Sequence, residues 1–163
     1  MTYLWFDTEF VEDGYTIDLL SIGVVREDGA TYYAEPEEAN RSLANPWVRE
    51  NVLPHLTGPM KPRAEIALDL VRFAGPSPRF WAYYADYDWV ALCQLYGRML
   101  DLPKGWPMYC RDLKQVGDMF GVASLSALIP QAGPEHNALA DAQWCRDAWM
   151  YLRRDVVPAA VIL

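Results

Sequence analysis

Apolar residues dominate three short stretches at the start of the chain, with brief polar breaks between them. Residues 2–9 (TYLWFDTE), 15–26 (YTIDLLSIGVVR) and 30–35 (ATYYAE) are rich in aromatic and β-branched residues, the composition of strands. Asp13-Gly14 and Asp28-Gly29 stand between them as turn signals. Three strands joined by short turns make an antiparallel meander.

The period then changes. Pro46 and Pro54 bracket a short helical piece, WVRENVL. Beyond Pro62, which suits a first helical turn, Ile66, Ala67, Leu70, Phe73 and Ala74 keep helical spacing until Gly75-Pro76 stops them. RFWAYYA at 79–85 predicts a fourth strand. The helix after it runs to about Leu100 and is apolar nearly all round, so it should be well buried. A loop from Leu102 to Pro107 leads to a short fifth strand near Met108–Cys110. Helices follow over roughly 112–120 and 137–154. A meander followed by alternating helices and strands predicts one α/β domain, residues 1–163, with a mixed sheet and helices on both faces.

With 52% apolar and 22% charged residues the chain is of ordinary globular type, neither disordered nor collagen-like. No apolar run is long enough for a membrane span. The start carries Asp7 and Glu9 rather than a basic region followed by an apolar stretch, so no signal peptide is read and a cytoplasmic location is expected. Cys93, Cys110 and Cys145 are odd in number and match no zinc spacing, which predicts reduced, mostly buried thiols. The net charge of −8 argues against a non-specific nucleic-acid binder, which is normally basic. An enzyme that gathers carboxylates around divalent cations escapes that argument, because the metals supply positive charge where phosphate docks.

Several carboxylates fit structural roles poorly. Residues two apart on a strand share a face, so Phe6-Asp7-Thr8-Glu9-Phe10 sets Asp7 and Glu9 side by side with aromatic residues on the other face. Like charges so placed repel; they either face solvent at a strand end or hold a hard cation together. Asp88 follows the fourth strand where the chain turns into a helix. That is where open α/β sheets place their sites, and also where an Asp caps well. Asp86 competes for either role. On the last helix Ala138, Ala142, Cys145, Trp149 and Leu152 follow the core spacing, and Asp141 shares their face. An unpaired carboxylate there is costly unless a metal, or an arginine such as Arg111 or Arg146, neutralises it. His136 lies five residues earlier, about 140° round a regular helix, so it belongs on the Pro134-Glu135 loop, where it can swing over a site. Its usual pKa suits a general base. Four acids and a histidine at a strand, a strand end and a helix start are what two-metal phosphoryl chemistry requires.

These residues resemble the motifs of the DEDDh 3′–5′ exonucleases of the ribonuclease H-like fold. Asp7-Thr8-Glu9 matches the first motif, Tyr87-Asp88 the second, and His136 with Asp141 the third, in its histidine form. Within that family the chain is most similar to the actinobacterial polyadenylate-specific exoribonucleases. The similarity lies in WFDTEFVEDGYTIDLLSIGVVREDG, WAYYADYDWVALCQLYG and EHNALADAQW; it is thin over 100–133.

The resemblance implies a five-stranded sheet of order 3-2-1-4-5 with strand 2 antiparallel. It implies two cations, Mg²⁺ or Mn²⁺, held by Asp7, Glu9, Asp88 and Asp141, with His136 taking the proton from the attacking water. Single-stranded RNA with an adenylate preference is the implied substrate, nucleoside 5′-monophosphates the product and a homodimer the implied assembly. Thr8, through its backbone N–H, and Phe10, by stacking, are the expected contacts to the terminal nucleotide. Single-stranded DNA or short oligoribonucleotides as substrates, or a non-catalytic RNA-binding module, are the alternatives. The apolar stretch from Val156 to Leu163 either packs back on its own domain or joins a partner subunit.

Overall fold

In the computed structural model, which describes residues 1–161, β1 (Thr2–Glu12), β2 (Ile17–Arg26) and β3 (Thr31–Pro36) form the expected meander. β1 is central: it runs antiparallel to β2 and parallel to β5 (Pro78–Ala82), which in turn lies parallel to β6 (Arg111–Asp112). The five expected strands stand in the expected order. A sixth, β4 (Met60–Lys61), corrects the strand count by pairing parallel to the end of β3, giving β4-β3-β2-β1-β5-β6. Two residues carry no periodicity to read. β4 is held instead by long-range bonds, with Glu35 N–H donating to Pro59 O at 3.0 Å and Gly58 N–H to the buried Glu35 carboxylate at 2.7 Å.

Two boundaries differ from expectation for local reasons. The fifth expected strand falls at Arg111–Asp112, because Asp112 caps α4 (Leu113–Met119) by accepting from Lys114 N–H at 2.6 Å. α3 (Asp86–Gln94) ends well before Leu100, since Gly97 takes a left-handed φ of 108° that no helix continues through. Tyr87 and Val90 of α3 are exposed, so that helix is buried on one side rather than all round.

The alternation along β1 sorts the layers. Leu4 and Phe6 join Ile66 and Leu70 of α2 (Arg63–Ala74) and Leu92 of α3 in one core. Trp5 joins Leu113 of α4 and Trp144, Cys145 and Ala148 of α5 (Ala138–Tyr151) in a second core on the opposite face. Each fully buried Leu, Ile or Phe side chain among them contributes roughly 1.5–3 kcal/mol. A β-bulge shifts the register from Glu9↔Ser21 to Phe10↔Leu19. The extra residue, Leu20, turns into a third cluster with Val11 and with Val48 of α1 (Pro46–Asn51).

Gly23 of β2 sits opposite Asp7 of β1. A Cβ there would lie 2.3 Å from the backbone C and O of Ala138 and the N of Leu139. Only glycine lets the first turn of α5 rest on the sheet beside Asp7.

The three cysteines are free, with Cys93 and Cys145 buried. Among the described residues no helix is long and apolar enough to cross a membrane. Of the apolar C-terminal stretch, Val157 is buried and Val156 packs on the same core as α4 and α5. Ile162 and Leu163 lie outside the described residues.

Candidate active site

Odd-numbered residues of β1 face α5. Trp5 is covered by it, and Asp7 and Glu9 follow where the strand runs out from beneath the helix. Asp141 stands in the first turn of α5, held close by the Gly23 contact. One carboxylate oxygen each from Asp7, Glu9 and Asp141 lies within 4.8 Å of the others.

Asp88 approaches from α3 on the other side of β1. It does not cap that helix; Ala85 occupies the cap position. Asp88 is 6% exposed, and its Oδ1 accepts from Thr8 N–H at 3.0 Å and Thr8 Oγ1 at 2.6 Å. It therefore stands outside the three-carboxylate cluster while lining the same cleft. Asp86 is exposed and lines a neighbouring groove with Glu12 and Tyr15. Thr8, the expected contact to the terminal nucleotide through its backbone N–H, gives both that N–H and its hydroxyl to Asp88 in this structure, and so orients that carboxylate.

Asp7, Thr8, Glu9, Phe10, Asp88, His136 and Asp141 all line one open cleft of about 330 Å³, with Tyr83, Tyr84 and Tyr87 completing its wall. Phe10 stacks on Tyr87, ring centroids 5.7 Å apart and planes 12° from parallel. His136 lies outside α5, as expected, on the turn before the capping Asn137. His136 and Tyr84 have φ of 62° and 57°, the only non-glycine residues with positive φ among those described. Both border the cleft, and strained backbone of this kind clusters at functional sites.

Three supporting residues have no motif to reveal them. Gln131 Nε2 donates to Asp141 Oδ1 and to Pro134 O, tying the carboxylate to its loop. Asp112 Oδ2 accepts Ala85 N–H at 3.0 Å and so fixes the turn that presents Asp88. Gly23 is the third. Arg111 and Arg146 leave Asp141 unpaired: Arg111 donates to Tyr109 at 3.1 Å, and Arg146 lines grooves that Asp141 does not.

The electrostatics follow from burial and crowding. Burial, then Asp88, Glu9 and Asp141, push the Asp7 carboxyl well above its usual range. Burial, then Asp141 and Asp88, push Glu9 up to about 8. Burial raises Asp88 to about 6 against the lowering effect of its Thr8 bonds. Burial also raises Asp141, opposed by Gln131 and His136. Among the described residues no lysine or arginine lines the cleft. Oxygen-only anionic donors with no protein cation beside them fit a hard divalent ion.

A stability prediction follows for the metal-free protein. Glu9 holds its proton in the fold up to about 8, whereas the unfolded chain releases it near 4.5. The native state thus binds more protons across that window, and stability falls as pH rises through it. The melting temperature without metal should drop between pH 5 and pH 8. Mn²⁺ should restore it most at the alkaline end. A flat profile without metal would remove the crowding argument.

Acids thus gather on the central strand and its flanking helices. The chain belongs to the Rv2179c-like 3′–5′ exoribonuclease domain family, whose model matches residues 2–153. Two Mycobacterium tuberculosis proteins named 3′–5′ exoribonucleases, Rv2179c (strain ATCC 25618 / H37Rv) and MT2234.1 (strain CDC 1551 / Oshkosh), are each 43% identical to it over 147 residues. The match covers 85% of this chain and 86% of each of theirs. The structure of S. pombe Pop2p in its Mg²⁺- and Mn²⁺-bound form superposes with a TM-score of 0.63, over 94% of this chain and 83% of that one. At 13% identity that likeness shows the fold alone.

Proposed function

We propose that the protein removes nucleotides one at a time from the 3′ end of single-stranded RNA, releasing nucleoside 5′-monophosphates. Asp7, Glu9, Asp88 and Asp141 hold two divalent cations, Mg²⁺ or Mn²⁺, and His136 is the general base. The observation that carries this is the convergence of Asp7, Glu9 and Asp141 within 4.8 Å, in a cleft shared with Asp88 and His136 and lined by no lysine or arginine. When bound, the cations supply the Lewis acidity that activates water and stabilises the leaving 3′ oxygen.

The chain's own residues do the rest. His136, on its loop over the cleft, accepts the proton of the attacking water. Thr8 and Gln131 fix the orientation of Asp88 and Asp141. Phe10, already paired with Tyr87, offers a ring on which a terminal base stacks. A preference for adenylate 3′ ends and a cytoplasmic location belong to the same proposal; the adenylate preference is supported by the sequence resemblance. A homodimer belongs to it as well. With no lysine or arginine among the described residues of the cleft wall, phosphates beyond the metal positions need positive charge from elsewhere, and a two-fold partner is the simplest source.

Chelator should abolish activity, and Mg²⁺ or Mn²⁺ should restore it. His136→Ala should lower kcat roughly a hundredfold or more while leaving Mn²⁺ affinity nearly intact. An unaltered kcat in that variant would return His136 to a structural role.

A further inference from the structure

We infer that Trp47 is a positioning residue for the general base, its indole holding the His136 imidazole in the orientation from which it takes the water proton. This rests on the proposed role of His136. A catalytic histidine is normally oriented by a hydrogen bond to its second ring nitrogen. Among the described residues no hydrogen bond holds the imidazole of His136. The Trp47 ring packs against it edge to face, with centroids 4.8 Å apart and planes 78° from parallel.

Trp47 is otherwise hard to explain. It is 52% exposed, although a large apolar ring gains most from burial. Its helix does not need it. α1 is anchored by its neighbour Val48, buried against Val11 and Leu20, and is capped by Asn45, which accepts Val48 N–H at 2.9 Å. Pro46 at the first helical position pre-sets the backbone. α1 is thus a short mount that presents the indole outward, against the His136 ring.

A second contact fixes the same loop one residue later. Asn137 caps α5 by accepting Ala140 N–H at 3.1 Å, and its Nδ2 donates to His55 O at 3.3 Å. The segment from Asn45 to Leu56 therefore grips the loop at the ring of residue 136 and the side chain of residue 137. A left-handed backbone at a non-glycine residue persists only where its surroundings enforce it, and His136 has such a backbone. Trp47 and the Asn137–His55 bond contribute to that enforcement, beside the His136 backbone N–H that bonds the Asp141 carboxylate.

The test is a double-mutant cycle on full-length protein with Mg²⁺, using Trp47→Ala, Trp47→Phe, His136→Ala and the double variant Trp47→Ala/His136→Ala. Trp47→Ala should lower kcat about five- to tenfold, the scale of one aromatic pair, with KM changed less than about twofold. Trp47→Phe should recover most of the loss. The double variant should be no slower than His136→Ala alone. Two further readouts do not depend on turnover. Calorimetric Mn²⁺ affinity should be unchanged in Trp47→Ala. The His136 ring proton resonances of the Mg²⁺-loaded protein should lose a ring-current shift in Trp47→Ala and keep most of it in Trp47→Phe.

A raised KM with kcat preserved would make Trp47 a nucleobase platform and overturn the inference. A further loss in the double variant, or an unmoved His136 resonance, would overturn it as well. Full kcat in His136→Ala would sink the general-base role itself, and the inference with it. A slow His136→Ala beside a normal Trp47→Ala would sink the inference alone.

Discussion

Asp7→Asn should lose nucleotide release almost entirely while keeping its fold. The Asp7 carboxyl is crowded by Asp88, Glu9 and Asp141 after burial has already raised it. It also supplies an oxygen to the three-carboxylate cluster. Asparagine keeps the shape but removes the charge a cation needs. The loss should exceed the roughly 10- to 100-fold that follows from disturbing a residue that only supports a ligand. Removing one of several repelling charges should also raise the metal-free melting temperature at pH 8, where the native acids are forced to ionise. Lower activity combined with higher metal-free stability marks a functional site rather than a structural ion pair. Asp86→Asn is the matched control. Asp86 is exposed and lines a different groove, so that variant should keep near-normal rates. A dead Asp86→Asn beside an active Asp88→Asn would reassign the second motif. Steady-state release from a labelled oligoribonucleotide and thermal melts with and without Mn²⁺ settle both halves.

Gly23→Ala should be nearly as damaging to activity, although Gly23 carries no chemistry. The added methyl would sit 2.3 Å from backbone atoms of Ala138 and Leu139, so α5 must move rather than a side chain turn aside. Such overpacking typically costs 1–3 kcal/mol. The functional cost is larger because the turn that moves carries Asp141 and follows the His136 loop. A misplacement of about 1 Å at a reacting centre lowers rates on the order of 10²-fold. Gly23→Ala should therefore fold, melt several degrees lower, and lose both Mn²⁺ affinity and kcat. Native activity in this variant would show that the spacing between β1 and α5 does not set the site.

How much of this was legible in the sequence depends on the range of the contact. The shared face of Asp7 and Glu9 follows from the two-residue period of a strand, and the inward face of Asp141 from helical spacing. His136 could be set on the loop because five residues do not bring it to that face. What escaped is non-local. The bond from Thr8 to Asp88 joins residues 80 apart in sequence and braces the carboxylate. Gly23 reads as an unremarkable strand glycine until α5 is laid across it. Gln131 lies in a loop with no pattern, and β4 is too short to have one. Leu20 leaves the alternation of β2 because a bulge opens there, which depends on pairing with β1. Motif chemistry was local, and the braces that aim it were not.

The most direct measurement is a degradation ladder on single-stranded RNA labelled at either the 5′ or the 3′ end, with Mg²⁺, with Mn²⁺ and with chelator. With either metal, the 5′-labelled strand should shorten one nucleotide at a time, and the 3′ label should leave at once as a nucleoside 5′-monophosphate. Chelator should leave both strands intact. Internal fragments, release of 3′-monophosphates, or cleavage that continues in chelator would contradict the account.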